Sequence, residues 1–294
     1  VASPIFRQLK RTFMHLPSPL EWAPALLLGL CFGSFLNVVI TRLPVMLMRR
    51  WRNEALASLE FPAETAPRFN LATPGSMCPR CEHPIAWHDN LPLLGWLKRR
   101  GKCANCQSPI SAQYPLVELM GGLLAVAVVA LYGTTASALF IYAACLTLLA
   151  LAVIDFRTYL LPDMLTLPLL WAGLLYQLIF QPIMLPSAVI GAMAGYLILW
   201  SFYWLFKLLT GKEGMGFGDF KLLAALGAWV GWPMLPLLLI VSAGIGALVG
   251  LAAQASSPHL RGQPLPFGPF LALAGWVCLL AGDELMALYT SLLY

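Results

Sequence analysis

Long apolar runs separated by short polar links dominate the chain. The runs fall near residues 21–41, 116–132, 135–155, 163–180, 186–209, 219–232, 234–254 and 266–290. A helix of about 20 apolar residues crosses the roughly 30 Å hydrocarbon core of a bilayer. Inside that core the backbone must satisfy its own hydrogen bonds, which favours helices. The sixth run is short, and Pro233 and Pro236 break it from the seventh. The pattern predicts an all-α polytopic membrane protein with about eight transmembrane helices.

One polar stretch, residues 42–115, interrupts the series. It divides the chain into a lead and first helix (1–41), a polar domain (42–115) and a helical bundle (116–294). Residues 53–75 read as a flexible or locally helical insert broken by Pro62, Pro67 and Pro74. No internal repeat or low-complexity tract stands out. Gly191/Gly195 and Gly246/Gly250 are GxxxG pairs that permit close helix approach, although glycine is also simply common in membrane helices.

Composition agrees with this picture. The 294 residues are 60% hydrophobic and 11% charged, against roughly 25% charged in soluble domains. The net charge of +5 is unevenly placed, since ten of the 18 Lys and Arg lie in 42–115. Basic loops mark the cytosolic side. The links holding Arg157, Lys212 and Arg261 alternate onto that same side, and only Arg7, Lys10 and Arg11 dissent. No nucleic-acid motif or interleaving of basic and aromatic residues is present, so no nucleic-acid partner is expected. The first span can itself target the membrane without a cleavable signal peptide.

Carboxylates are costly at membrane depth and point to function there. Asp155 closes the third run, where it opposes the helix dipole. Asp219 opens the sixth within Gly214-Met215-Gly216-Phe217-Gly218-Asp219. Counting crossings places both at one cytosolic edge, so they can meet. Such a pair can share a proton and activate water, as in aspartic proteases. Asp155 and Asp219 are therefore the expected catalytic residues, titrating as one unit. Asp219 also suits a plain helix start, and Asp163, after Leu161-Pro162, reads mainly as one. Gly216 and Gly218 would let a substrate backbone approach. Lys221 reads as an interfacial anchor or a partner of the dyad.

The polar stretch holds Cys78-Pro79-Arg80-Cys81 and Cys103-Ala104-Asn105-Cys106, two CxxC knuckles 21 residues apart. Four thiolates close a tetrahedral structural zinc site. Cys78, Cys81, Cys103 and Cys106 are the expected metal ligands, giving a small zinc-ribbon-like cytosolic domain between the first two helices. A redox dithiol or disulfides are the alternatives, the latter disfavoured in the cytosol. His83 and His88 are surplus to a full shell. Cys31, Cys145 and Cys278 read as small buried residues. Between the knuckles, residues 87–102 pair an apolar half with a basic end suited to lipid headgroups.

In order along the chain, these motifs resemble those of the type IV prepilin peptidases, the leader peptidases of pili and type II secretion. The matching segments are Gly33-Ser34-Phe35-Leu36-Asn37 with Arg42-Leu43-Pro44, the two knuckles, Asn90-Leu91-Pro92, and Tyr114-Pro115-Leu116-Val117-Glu118. They continue with Ile154-Asp155, Leu160-Leu161-Pro162-Asp163, and Gly214 to Asp219 with Lys221-Leu222. The resemblance covers roughly residues 22–290. It implies cleavage of the basic leader of prepilins and pseudopilins after a glycine, usually before a phenylalanine. It also implies N-methylation of the new terminus with S-adenosylmethionine, and a place in the bacterial inner membrane. The family's catalytic aspartates match Asp155 and Asp219, and its cysteines match the four above. No Rossmann-type loop marks a cofactor site. Glu118 is a candidate contact, although a helix-start charge is the better reading.

Two other readings use the same aspartates. A presenilin-like peptidase acting deeper in the bilayer would lack the cysteine loop. An ion- or proton-coupled transporter would hold its carboxylates nearer the midplane. A zinc-held assembly scaffold would not need them at all.

Overall fold

The computed structural model describes residues 19–62, 67–212, 214–256 and 265–293. The basic lead at Arg7, Lys10 and Arg11 and the link at Arg261 lie outside these residues. Among the described residues no strand forms, and the only β pairings are the isolated bridges Met77–Pro84 and Lys102–Pro109. The helical membrane architecture expected from the sequence is borne out. Among the described residues eight helices are long: α1 (Pro19–Ser58), α3 (Gln113–Tyr132), α4 (Ala136–Thr158), α5 (Asp163–Phe180), α6 (Leu185–Thr210), α7 (Phe217–Val230), α8 (Leu235–Ser256) and α9 (Gly268–Leu293), with the short α2 (Leu94–Lys98) before α3. Six described helical segments are long and apolar enough to cross a membrane. The exceptions among the eight are α7, with 14 residues, and α9, which kinks at Ala281 beside Gly282.

The chain forms two compact units, one spanning Pro17–Ala130 and the other chiefly Leu131–Tyr294. In the first, α1 runs past residue 41 to Ser58. Arg42 and Pro44 interrupt its apolar run, but its helix continues. Leu43 and Leu47 remain buried, and Arg50 pairs with Glu54 one turn on. Pro44 lies inside this helix and removes one backbone donor without ending it. Arg42 bonds the carbonyls of Asn70 (3.0 Å) and Gly75 (3.3 Å), and Arg49 stacks 4.7 Å from the Phe69 ring. These contacts bind the 69–75 segment to α1.

The second unit is built around α7, which packs against α5, α6 and α9. Nearly all of it is buried, from Asp219 to Trp229. A helix apolar on all sides belongs in the middle of a bundle. Glycine makes the tightest contact. A Cβ on Gly191 of α6 would strike the carbonyl oxygen of Gly227, and one on Gly195 would lie 2.6 Å from that of Leu223. Backbones therefore touch directly, as small-residue packing allows. Gly246 and Gly250 behave differently, since they face only the side chains of Phe270 and Leu265. Trp229 Nε1 donates to the Leu169 carbonyl (2.9 Å), and Gln177 Nε2 donates to that of Trp229 (2.7 Å), locking α5 to α7.

Candidate active site and metal centre

Three chain turns build the carboxylate site. The first ends α4. Asp155 stands in its last turn, and its carbonyl accepts the N–H of Tyr159, which adopts a left-handed conformation (φ 55°). That conformation turns the chain into Leu160-Leu161-Pro162. Proline holds the preceding residue out of helical space, and α5 starts afresh at Asp163. The second turn is the glycine approach to α7, where Gly216 is extended and Asp219 is the third helical residue. The third is the start of α9 at Gly268.

These turns converge. Asp155 and Asp219 are both buried, 5% and 8% exposed, and their charges lie within electrostatic reach of each other. Leu161 packs against the glycine beside each. A Cβ on Gly218 would lie 2.8 Å from Leu161 Cβ, and one on Gly268 would lie 3.2 Å from Leu161 Cδ2. The N–H of Gly268 donates to Asp155 Oδ2 at 3.0 Å. Asp219 Oδ1 is buried without a hydrogen-bond partner. A buried acceptor in that condition is unfavourable and is suited to receiving a proton or a water.

Asp163 stands apart from this pair. Both its oxygens lie 2.7 Å from Lys221 Nζ. This pair is half-exposed and joins the starts of α5 and α7, so Lys221 engages Asp163 and not the dyad.

In the first unit the four cysteines come together. The Sγ atoms of Cys78, Cys81, Cys103 and Cys106 all lie within 4.8 Å of one another. Cys78–Cys106 is 3.8 Å and Cys81–Cys103 is 3.9 Å. A tetrahedron with metal–sulfur bonds of about 2.3 Å has edges near 3.8 Å, so the thiols fit a metal ion. The cysteines are free, with no disulfide among them. Backbone N–H groups of Arg80 and Cys81 hold the Cys78 thiol down to about 6, and Ser108 lowers that of Cys106. Both effects favour the ligating thiolate.

The knuckles are two copies of one device. Cys-x-x-Cys-x-x-Pro-Ile occurs at 78–85 and again at 103–110. In each copy the first cysteine N–H bonds the carbonyl five residues on (His83 or Ser108), and the residue after the second cysteine (Glu82 or Gln107) has φ 55°. The absence of a repeat in the sequence reading is therefore corrected here. A unit of eight residues is too short to stand out against an apolar chain.

Between the knuckles, Asp89 accepts from Lys98 (3.0 Å) and Arg99 (2.9 Å), and these contacts, Arg99 first, lower its carboxyl to about 2. Leu93 takes the strained φ of 59°, and its N–H reaches Glu118 Oε2 at 2.8 Å. Glu118 also accepts from Ser34, and buried Asn37 donates to the Tyr114 carbonyl at 3.0 Å. Glu118 thus joins α1, α3 and the inter-knuckle loop. Its carboxylate is engaged by its own chain.

Gly268 was invisible as a site residue in the sequence. The one available signal was Pro266-Phe267-Gly268-Pro269, a glycine framed by prolines at the head of an apolar run.

Fold and site together define a helical membrane protein with a buried carboxylate pair and a four-cysteine centre. The chain belongs to the type IV leader peptidase family. It matches that family over residues 141–251 and the bacterial peptidase A24 N-terminal domain over residues 27–132. It is 53% identical over 271 residues to the prepilin leader peptidase/N-methyltransferase of Aeromonas hydrophila, covering 90% of this chain and 92% of the relative. The protein of that name from Stutzerimonas stutzeri is 52% identical, with 90% and 92% covered. That from Pseudomonas putida is 50% identical, with 92% and 93% covered. No solved structure matches the chain significantly.

Proposed function

We propose that this chain is a membrane aspartyl endopeptidase that removes the leader of type IV prepilins and pseudopilins and methylates the new N-terminus. One observation carries the peptidase reading: two buried carboxylates from distant helices lie within electrostatic reach of each other, with one Asp219 oxygen unpartnered. The names of the relatives support the substrate and the second activity.

In the reaction, the ionised carboxylate takes a proton from water, and the oxygen attacks the scissile carbonyl carbon. The protonated carboxyl gives its proton to the carbonyl oxygen. Collapse of the tetrahedral intermediate breaks the C–N bond; the carboxyl that took the water proton passes it to the departing amine, and a hydroxyl of the intermediate returns a proton to the other carboxylate. The dyad works with one shared proton because two close carboxylates resist ionising together. Gly216 has nothing closer than 4.0 Å around its missing side chain, which leaves its backbone approachable.

The site belongs at the cytosolic edge of the bacterial inner membrane in this reading. The basic loops support that side, and a prepilin presents its basic leader there with its apolar helix in the bilayer. Zinc is the ion proposed for Cys78, Cys81, Cys103 and Cys106, as a closed structural site. S-adenosylmethionine is the proposed methyl donor.

The test is cleavage of a purified prepilin by the detergent-solubilised protein. Asp155→Asn and Asp219→Asn should each lower the rate by at least about 1,000-fold while staying folded. Mass analysis with and without S-adenosylmethionine reads methylation. Normal cleavage by both variants would overturn the aspartyl mechanism.

A further inference from the structure

Gly268 opens α9, and among the described residues its backbone N–H is the donor that reaches the Asp155 carboxylate, at 3.0 Å. The α9 ladder does not use that donor. Its first bonds run from Phe270 and Leu271 to the Phe267 carbonyl, at 3.1 and 3.2 Å. First-turn N–H groups of a helix have no internal partner, and here one is spent on a carboxylate 113 residues away. The electrostatics agree. Asp155 sits at the C-terminal end of α4, which repels negative charge, and the start of α9 brings the opposite pole to it. The contact also excludes any side chain at 268. A Cβ there would lie 2.6 Å from Asp155 Oδ2.

We propose that Gly268 is a positioning residue of the dyad: its N–H fixes Asp155 Oδ2 and leaves Oδ1 as the oxygen that exchanges protons with water and Asp219. This rests on the aspartyl reading above. Glycine is required because any larger residue would occupy the place of the carboxylate. The role passes through the main chain, so it is separable from packing.

Two variants test it by different routes. Gly268→Ala pushes a methyl group onto the carboxylate. Glycolate in place of Gly268, a backbone ester, deletes the N–H and adds no side chain. Each should lower kcat for prepilin cleavage by roughly 10- to 100-fold, the scale of a misplaced catalytic group. KM should stay within about threefold, since no substrate contact is lost. Adding Leu161→Ala to Gly268→Ala relieves the crowding but does not restore Asp155, so the double variant should stay impaired. If Gly268→Ala fails to fold, the ester decides alone. An ester variant with wild-type kcat, or one changed only in KM, overturns the assignment. So does a double variant that regains full kcat. If Asp155→Asn and Asp219→Asn cut normally, the dyad reading itself has failed. If they are inert while the ester variant is fully active, only the role of Gly268 has failed.

Discussion

Leu161 rests on Gly218 so closely that a Cβ on the glycine would sit 2.8 Å from the leucine Cβ. This contact seats the 159–162 turn against the start of α7. Gly218 therefore serves packing.

Gly218→Ala should displace Leu161 and lower cleavage by about tenfold or more, because small displacements near reacting groups are amplified in rate. Leu161→Ala removes the obstructing side chain. The double variant should recover part of the loss, measured as kcat on one prepilin. Equal rates for Gly218→Ala and wild type would show that Leu161 yields freely.

The two GxxxG pairs should differ sharply under substitution. Gly191→Ala drives a methyl group into the Gly227 backbone, which cannot give way. It should cost about 1–3 kcal/mol or more and lower the thermal midpoint in detergent by several degrees. Gly246→Ala meets only the Phe270 ring at 3.2 Å. A ring can shift, and the midpoint should move by no more than a degree or two.

The thiol spacing predicts one metal ion per chain. Elemental analysis of purified protein should find about one equivalent of zinc. Cys103→Ser should leave less than a fifth of that, because a tetrahedral site with three thiolates loses closure. Protein purified without metal but with all four thiols reactive would reject the site.

Asp89 makes the inter-knuckle loop sensitive to acid. Its carboxyl is lowered to about 2 by Arg99 and Lys98, against about 3.9 in an unstructured chain. A lowered value means that the folded loop favours the charged form. The contribution to stability is complete above about 4 and is lost as pH falls towards 2. Carbon NMR of the labelled carboxyl should titrate near 2, and in an Arg99→Ala variant nearer 4. A midpoint near 4 in the wild type would show that the Asp89–Arg99 contact does not form in solution.

Much of the fold was legible because membrane helices declare themselves by length and apolarity. The eight expected runs correspond to the eight long helices, and the short sixth run became the central α7. The boundary at residue 41 was not legible. Arg42 and Pro44 signal an end there, but the apolar run resumes over residues 43–48 and the helix continues to Ser58 on Leu43, Leu47 and the Arg50–Glu54 pair. Asp155 and Asp219 stood out because charge is rare in such segments, and topology placed them at one edge. The positioning contact of Gly268 was not legible, because a main-chain N–H carries no residue-type signal. The two roles of glycine in α6 and α8 were also hidden, since a GxxxG spacing does not say what faces it.

The two carboxylates differ in what anchors them. Asp219 rides on α7, whose backbone is pressed directly against that of α6 at Gly191 and Gly195. Sliding or rolling there would force main chain into main chain. Asp155 is held instead by the head of α9, and α8 meets residues 265–270 through the side chains of Leu265 and Phe270. Side chains change rotamer where main chain cannot. Asp219 is thereby fixed to a rail of touching backbones, and the contact that holds Asp155 is bordered on the α8 side by side chains. The two carboxylates should therefore respond to different substitutions: main-chain crowding in α6 reaches Asp219, and side-chain changes in α8 or at residues 265–270 reach the Gly268 contact of Asp155.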